Sequence, residues 1–310
     1  MKIKNIKYLF AFALFLVTFI VYLNTLCPTV YVGDSGEIAA SAYNLGIAHP
    51  PGYPVLSTLG KLSIIIAPVQ NIAKRVNVLA AFMASLELVF LFLLLVEIAS
   101  EGEIKFVSAL KMFAIFIGVL IFAFSKTFWA QTSTAKGGVY TLNTLFITFL
   151  MYLVFRIKNA KNIQLENRLL CCFAFVYGLS LTNHDTMALL FPVFAGYLLY
   201  ISGKKGRSIF YWPLFLFFCI GLAFFLYLPL RTGSVFNWGH LQSGDDINKH
   251  IMRAQYDGEK NSLTMALLFR QKIAYLKFLL NQLPFGLMLF SAAGGWLLWK
   301  KSRELFVFLF

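Results

Sequence analysis

Residues 31–61 read YVGDSGEIAASAYNLGIAHPPGYPVLSTLGK and form a polar interruption in a mostly apolar chain. Asp34 and Glu37 stand three residues apart, with Ser35 and Gly36 between them. The apolar spacing over residues 38–45 predicts a short helix. His49, Pro50, Pro51, Gly52, Tyr53 and Pro54 follow. The prolines restrict the backbone and remove donors, and Gly52 permits close backbone approach. Two carboxylates and a histidine on such a loop, beside a bilayer, point to a reaction site at the membrane surface. The same spacing also has a plainer meaning. An acid followed three residues later by Glu is a capping-box-like opening of the helix, so both readings stand on the bare sequence.

Outward from this stretch, apolar runs alternate with polar loops. Residues 8–26 precede it and are long enough to cross a bilayer core of ~30 Å. Residues 57–68 are apolar but short and end at Pro68, which predicts a surface or re-entrant helix. Further crossings are expected over residues 76–96, 112–124, 139–155, 169–182, 186–201, 209–230 and 285–299. Residues 305–310 begin another apolar run. This gives about eight spans and the start of a ninth, in one transmembrane domain over residues 1–310. A chain that stops in so short a run is expected of a truncated or split product, or of one lacking a C-terminal soluble domain. The predicted fold class is an all-α polytopic membrane protein, a transmembrane helix bundle with extracytoplasmic loops and short juxtamembrane helices.

Composition agrees. The chain is 59% apolar and 17% aromatic, with 13% charged residues, where a soluble domain averages about 25%. A net charge of +14 invites a nucleic-acid reading. The lysines and arginines instead gather at MKIKNIK and at the loops around residues 97–111, 156–168, 203–207 and 300–303. They satisfy the positive-inside rule, put the N-terminus in the cytoplasm and leave no role for nucleic acid. No organelle signal stands out, so a bacterial plasma membrane is the expected location. The N-terminal run exceeds a usual signal-peptide core and lacks a small-x-small cleavage site, so it is read as a retained span. Cys27, Cys171, Cys172 and Cys219 lie in or beside apolar segments without metal-ligand spacing and are read as packing residues.

Several short motifs follow one another along the chain. They are Asp34-Ser35-Gly36-Glu37, His49-Pro50-Pro51-Gly52 with Gly60-Lys61, Arg75-Val76-Asn77, Phe124-Ser125 with Phe128-Trp129, and Val139-Tyr140-Thr141-Leu142-Asn143. Gly178 to His184 (GLSLTNH), Leu228-Pro229-Leu230-Arg231, Asn237-Trp238-Gly239 and Gln255-Tyr256 complete the set. In this order they resemble GT-C glycosyltransferases, in particular the bacterial relatives of the protein O-mannosyltransferase family that acts on plexin-type receptors. One position departs from the family pattern. Relatives carry an acidic residue just before the Val-Tyr pair, whereas this chain has Lys136-Gly137-Gly138.

The resemblance implies a GT-C-like bundle. It also implies transfer of a mannose-like hexose from a polyprenyl-phosphate donor to an extracytoplasmic acceptor, a protein Ser/Thr hydroxyl or a glycan. That chemistry needs a base for the acceptor hydroxyl and positive charge or a metal for the departing phosphate. Asp34, in the first external loop, is the candidate base. Glu37, one helical turn on, is its candidate partner in catalysis, orienting the acceptor, tuning Asp34 or helping to hold a divalent ion. No metal ligand set is assigned and the cofactor is left unknown, a divalent metal being one candidate.

His49, Lys61, His184, Arg231, Asn237 and Trp238 are candidate substrate-binding residues. His49 suits a phosphate or the acceptor, or a structural hydrogen bond. Lys61 suits phosphate or headgroup snorkelling. His184 and Asp185 end an external hairpin, where ionisable groups near the bilayer point to function. Arg231 follows an outward span and suits bidentate phosphate binding or interfacial anchoring. Asn237 stands beside Trp238, which suits sugar stacking or the interface. Glu87 lies within a span and needs a partner that the sequence does not name. Two other classes compete with the transferase: a transporter or flippase of lipid-linked sugars, and a noncatalytic membrane protein. Broken helices in matching halves would mark the transporter, but here the charged motifs gather on one face.

Overall fold

The structure, a computed structural model, describes residues 3–100, 108–207, 211–256, 264–282 and 285–309. The first span, α1 (Ile3–Asn24), leads to two short helices, α2 (Ser35–Asn44) and α3 (Pro54–Ile66). Then come α4 (Ile72–Ser100), α5 (Ala109–Ala123), α6 (Lys126–Thr132), α7 (Ala135–Lys158) and α8 (Ile163–Leu181). α9 (Thr186–Leu189) continues into α10 (Phe191–Lys204), and α11 (Tyr211–Leu222) runs through a 3-10 turn into α12 (Tyr227–Leu230). α13 (Gly244–Ile251), α14 (Met265–Gln282), α15 (Phe285–Lys301) and α16 (Arg303–Leu309) complete the order. Among the described residues there is no strand, only an isolated parallel bridge between Ile47 and Asn237.

Local chemistry sets the helix starts. Ser108, Thr134 and Asn162 each accept a hydrogen bond from a first-turn backbone N–H, opening α5, α7 and α8. Pro54 opens α3 and Pro192 lies in the first turn of α10, where a missing N–H does no harm.

Among the described helices, five stretches are long and apolar enough to cross a membrane: Ile6–Asn24, Ile72–Ser100, Ala135–Lys158, Thr186–Lys204 and Tyr211–Leu230. Counting each of two bent pairs, α5–α6 at 70° and α14–α15 at 105°, as one span brings the number to at most 7. The chain is a multi-pass helical membrane protein. The eighth expected span, residues 169–182, lies in helix α8, whose first turns carry Gln164, Glu166, Asn167 and Arg168, so it is not among the apolar stretches just named. The short apolar helix expected near residues 57–68 is α3. Parts of the expected loops and spans, at residues 101–107, 208–210, 257–263 and 283–284, lie outside the described residues.

α4 and α7 pack together at the centre of the bundle, with α1 and α5 against α4 and α11 against α8. Leu88, Phe92, Leu150 and Phe155 are fully buried there. Lipid offers little hydrophobic drive between spans, so small residues that let backbones approach matter more. Gly178 of α8 and Gly221 of α11 face each other this way. A Cβ on Gly178 would strike the Phe218 carbonyl, and one on Gly221 would strike that of Phe175. Two polar groups inside the spans find partners across helices. Tyr22 Oη donates to the Ala123 carbonyl at 2.8 Å. Glu87 finds the partner the sequence left open: Thr144 Oγ1 donates to its Oε2 at 2.6 Å.

Candidate active site

Asp34 occupies the N-cap position of α2, but its side chain makes no capping bond. The capping-box reading of Asp34 and Glu37 is therefore not what holds them. Asp34 Oδ2 lies 3.0 Å from Lys136 Nζ, and the two side chains are 44% and 38% exposed. Lys136 sits in the first turn of α7, and its backbone N–H reaches Ser35 Oγ at 3.4 Å. Lys136, which opens the Lys136-Gly137-Gly138 stretch where the family's acidic residue is missing, is thus the cation paired with the candidate base.

Glu37 is held quite differently. Its Oε1 accepts from the His49 backbone N–H at 2.5 Å and lies 2.9 Å from His49 Nδ1. With Nδ1–H donating to the carboxylate, Nε2 is the acceptor, and Tyr53 Oη reaches it at 3.2 Å. The Glu37 and His49 side chains are 14% and 15% exposed. The three groups form a chain, carboxylate to imidazole to phenol, that ties α2 to the His-Pro-Pro-Gly loop. Burial pushes the Tyr53 phenol pKa up, so it stays a neutral donor. The Trp238 ring lies 6.2 Å from His49, edge to face, and is 42% exposed.

Lys61 and Arg231 both serve the C-terminal end of α2. Lys61 Nζ donates to the Tyr43 carbonyl at 2.6 Å. Arg231 donates to the Leu45 carbonyl at 2.5 Å and to that of Asn44 at 2.8 Å. Cations there satisfy orphan carbonyls and oppose the negative end of the helix dipole. These donors are committed to backbone rather than turned toward a ligand. Asn237 shapes the neighbouring loop, donating to the Thr232 carbonyl at 2.5 Å. The bridge beside it forms as Ile47 N–H donates to Phe236 at 2.9 Å and Trp238 N–H to Ile47 at 3.0 Å. Gly46 allows that approach, because a Cβ there would collide with the Phe236 carbonyl. His250 closes the loop from the other side, its Nε2 3.0 Å from the Ala48 carbonyl.

His184 and Asp185 form a third group. Asp185 Oδ1 lies 2.9 Å from His184 Nδ1 and accepts from Arg253 at 2.8 Å. Burial opposes ionisation of Asp185, but the Arg253 hydrogen bond and the charges of Arg253 and His184 prevail and bring its pKa down. Burial lowers the His184 pKa. Arg253, Asp185, Tyr140 and Tyr256 all lie near enough to the Tyr53 phenol to act on its charge, and Tyr140 acts likewise on Lys136. The three groups therefore share one end of the bundle. Two buried acceptors, Asn143 Oδ1 and Asn183 Oδ1, are without a hydrogen-bond partner.

Sequence reasoning missed Lys136, Tyr53, Arg253 and His250. Lys136 was legible only as a departure from a pattern, and Arg253 lay in a long polar stretch without a motif. Among the described residues, no three His, Cys, Asp or Glu side chains group as a metal site would require.

Comparison with known proteins adds to this geometry. The family model "Protein O-mannosyl-transferase TMEM260 N-terminal domain" matches residues 34–208. Protein O-mannosyl-transferase TMEM260 of Mus musculus is 30% identical over 241 residues, covering 76% of this chain and 33% of that protein. Protein O-mannosyl-transferase tmem260 of Dictyostelium discoideum is 27% identical over 265 residues, covering 78% and 30%. The chain thus spans about a third of the length of these curated relatives. No solved structure matches it.

Proposed function

We propose that this chain, which belongs to the protein O-mannosyl-transferase TMEM260 family through its N-terminal domain, is a membrane glycosyltransferase. It moves a mannose-like hexose from a polyprenyl-phosphate carrier to an extracytoplasmic acceptor, a protein Ser or Thr hydroxyl. The observation that carries this reading is the half-exposed Asp34 carboxylate, uncommitted to helix capping, at the loop that follows the first span. Asp34 removes the proton of the acceptor hydroxyl as its oxygen attacks the anomeric carbon. Glu37, already bound to His49, positions the His-Pro-Pro-Gly loop beside it. Trp238 offers an exposed ring next to His49 for a sugar face, and Arg253, paired with Asp185, stands with His184 at the same end.

Orientation follows from charge. Lys7 pairs with Glu97 at 3.6 Å at the end of the bundle opposite Asp34, where Arg156, Lys205 and Arg207 also gather. The positive-inside rule puts that end and the N-terminus in the cytoplasm and the Asp34 end outside, in a bacterial plasma membrane.

The test is transfer from polyprenyl-phosphate sugars to periplasmic proteins in membranes, comparing wild type with Asp34→Asn at equal expression. Loss of a general base lowers transfer by about 10²–10⁴-fold. Equal transfer by the two proteins removes Asp34 from the reaction, and no transfer by wild type removes the activity.

A further inference from the structure

Lys136 is the only cation the structure joins to Asp34 among the described residues, and the mechanism above leaves it unused. The pair is 38% and 44% exposed. Ion pairs of that exposure contribute little to stability, so stability alone gives it no purpose. Its setting is nonetheless specific. The Lys136 backbone is anchored to Ser35, and its side chain lies across the Gly33 backbone, with Nζ 3.2 Å from where a Cβ would stand. Gly33 has a φ of +73°, which fixes the turn that brings Asp34 under the ammonium.

We propose that Lys136 is a catalytic residue that exchanges partners during transfer, leaving the Asp34 carboxylate for the phosphate of the departing carrier. This rests on the transferase reading above. A sugar-phosphate-polyprenyl donor is a phosphodiester with one negative charge. In the step, a bond forms between the acceptor oxygen and the anomeric carbon. The bond from that carbon to the phosphate oxygen breaks, and its electron pair stays on the phosphate. The hydroxyl proton passes to Asp34. The phosphate thus becomes a monoester and gains one negative charge as Asp34 loses its own. The ammonium beside Asp34 loses its partner at the moment a new anion forms. An interaction that strengthens as the reaction proceeds accelerates chemistry rather than merely binding substrate.

The exchange predicts a pattern that a merely structural lysine does not produce. The measurements are steady-state transfer and direct titration of polyprenyl monophosphate, the sugar-free product, into full-length protein in nanodiscs. Four proteins are compared: wild type, Lys136→Met, Lys136→Arg and Asp34→Asn. Lys136→Met should lower kcat and weaken monophosphate binding by roughly ten- to hundredfold each, while the donor KM moves much less. Lys136→Arg, which keeps the charge, should recover part of both and also covers the case in which the methionine variant does not fold. Asp34→Asn should bind the monophosphate more tightly than wild type, because the ammonium is then free of its carboxylate. Unchanged monophosphate affinity in Lys136→Met relative to wild type, or weaker binding in Asp34→Asn, overturns the proposal. Wild type that binds no monophosphate does the same. If transfer stays dependent on Asp34 while kcat ignores Lys136, only the exchange falls. If wild type transfers no sugar, the transferase reading falls, and the binding arms still judge the lysine.

Discussion

A carboxylate meets cations near each end of α7, and the two meetings are built in opposite ways. Near its C-terminal end, Glu166 is 2% exposed and lies 3.0 Å from Lys205, with Arg207 on the same oxygen. Lys205 also donates to the Ile157 carbonyl at 2.7 Å, so one ammonium ties α7, α8 and the end of α10 together. Near its N-terminal end, Asp34 meets one lysine, and both are open to solvent. A buried carboxylate with two cations is locked, because opening it strands charge in a poor solvent. A half-exposed carboxylate with one cation opens easily, because water replaces the partner. Locked groups hold a fold, and groups that open easily are available to substrates.

The sharpest way to break this contrast is to neutralise each acid in turn. Asp34→Asn should reduce transfer by about 10²–10⁴-fold while thermal unfolding in detergent stays within about a degree or two of wild type, since surface changes of this kind are nearly neutral. Glu166→Gln should do the reverse. It leaves two cations around a neutral amide and should destabilise by about 3 kcal/mol, with the specific activity of the surviving folded protein unchanged. If Glu166→Gln lost activity without losing stability, the two ends would not differ in kind.

The middle case is Glu37, an acid one turn from Asp34 but built more like Glu166. His49→Ala removes both the imidazole donor to Glu37 and the acceptor for Tyr53. It should destabilise by about 1–3 kcal/mol, the usual result of stranding half-buried polar groups. A fall in transfer should follow only as the loop loosens. Hydrogen exchange at residues 46–53, set beside activity, separates the two effects. Full activity in a loosened loop would take Glu37 and His49 out of the positioning role.

These assignments show how much the sequence disclosed. The bundle was legible because apolar run length is a one-dimensional property that the bilayer reads directly. Helix α8 was legible over residues 169–182, and its polar first turns are what set it apart from the more apolar spans. Asp34 was legible by position, but its partner was not. Lys136 lies 101 residues beyond Ser35, the neighbour of Asp34, at a separation that only the packing of α2 against α7 closes. Lys61 and Arg231 were read as phosphate ligands or interfacial anchors because a cation beside a bilayer has those meanings in isolation. Their carbonyl partners on α2 lie 18 and 186 residues away, and carbonyls leave no mark in a sequence. Glu87 was recognised as an acid in need of a partner, and Thr144, 57 residues on, was invisible for the same reason.

Arg231 gives a smaller and more local test. If it serves the α2 terminus, Arg231→Ala should destabilise by about 1–2 kcal/mol through two lost carbonyl bonds. Donor KM should then be nearly unchanged. A tenfold rise in donor KM at intact stability would return Arg231 to the phosphate.

The smallest effect is a pH dependence. Burial holds the His250 pKa below its ordinary 6.5, against the smaller opposing influence of the Ala48 carbonyl, with His49 and Glu37 as its nearest charged neighbours. A histidine whose pKa is lowered in the fold is protonated first in the unfolded chain. As pH falls below about 6.5, the unfolded state therefore gains protons that the folded state refuses, and stability declines until the folded pKa is passed. The slope for one such group is at most about 1.4 kcal/mol per pH unit. His184 is lowered in the same way, so the two should add where they act independently. Unfolding temperatures of wild type, His250→Gln and the double variant with His184→Gln, taken between about pH 7.5 and 5.5, should show the acid-side decline flattening stepwise. A decline that persists unchanged in the double variant would assign it to carboxylates instead, with Asp185 the first place to look, because its bond to Arg253 holds its pKa below the ordinary range against burial.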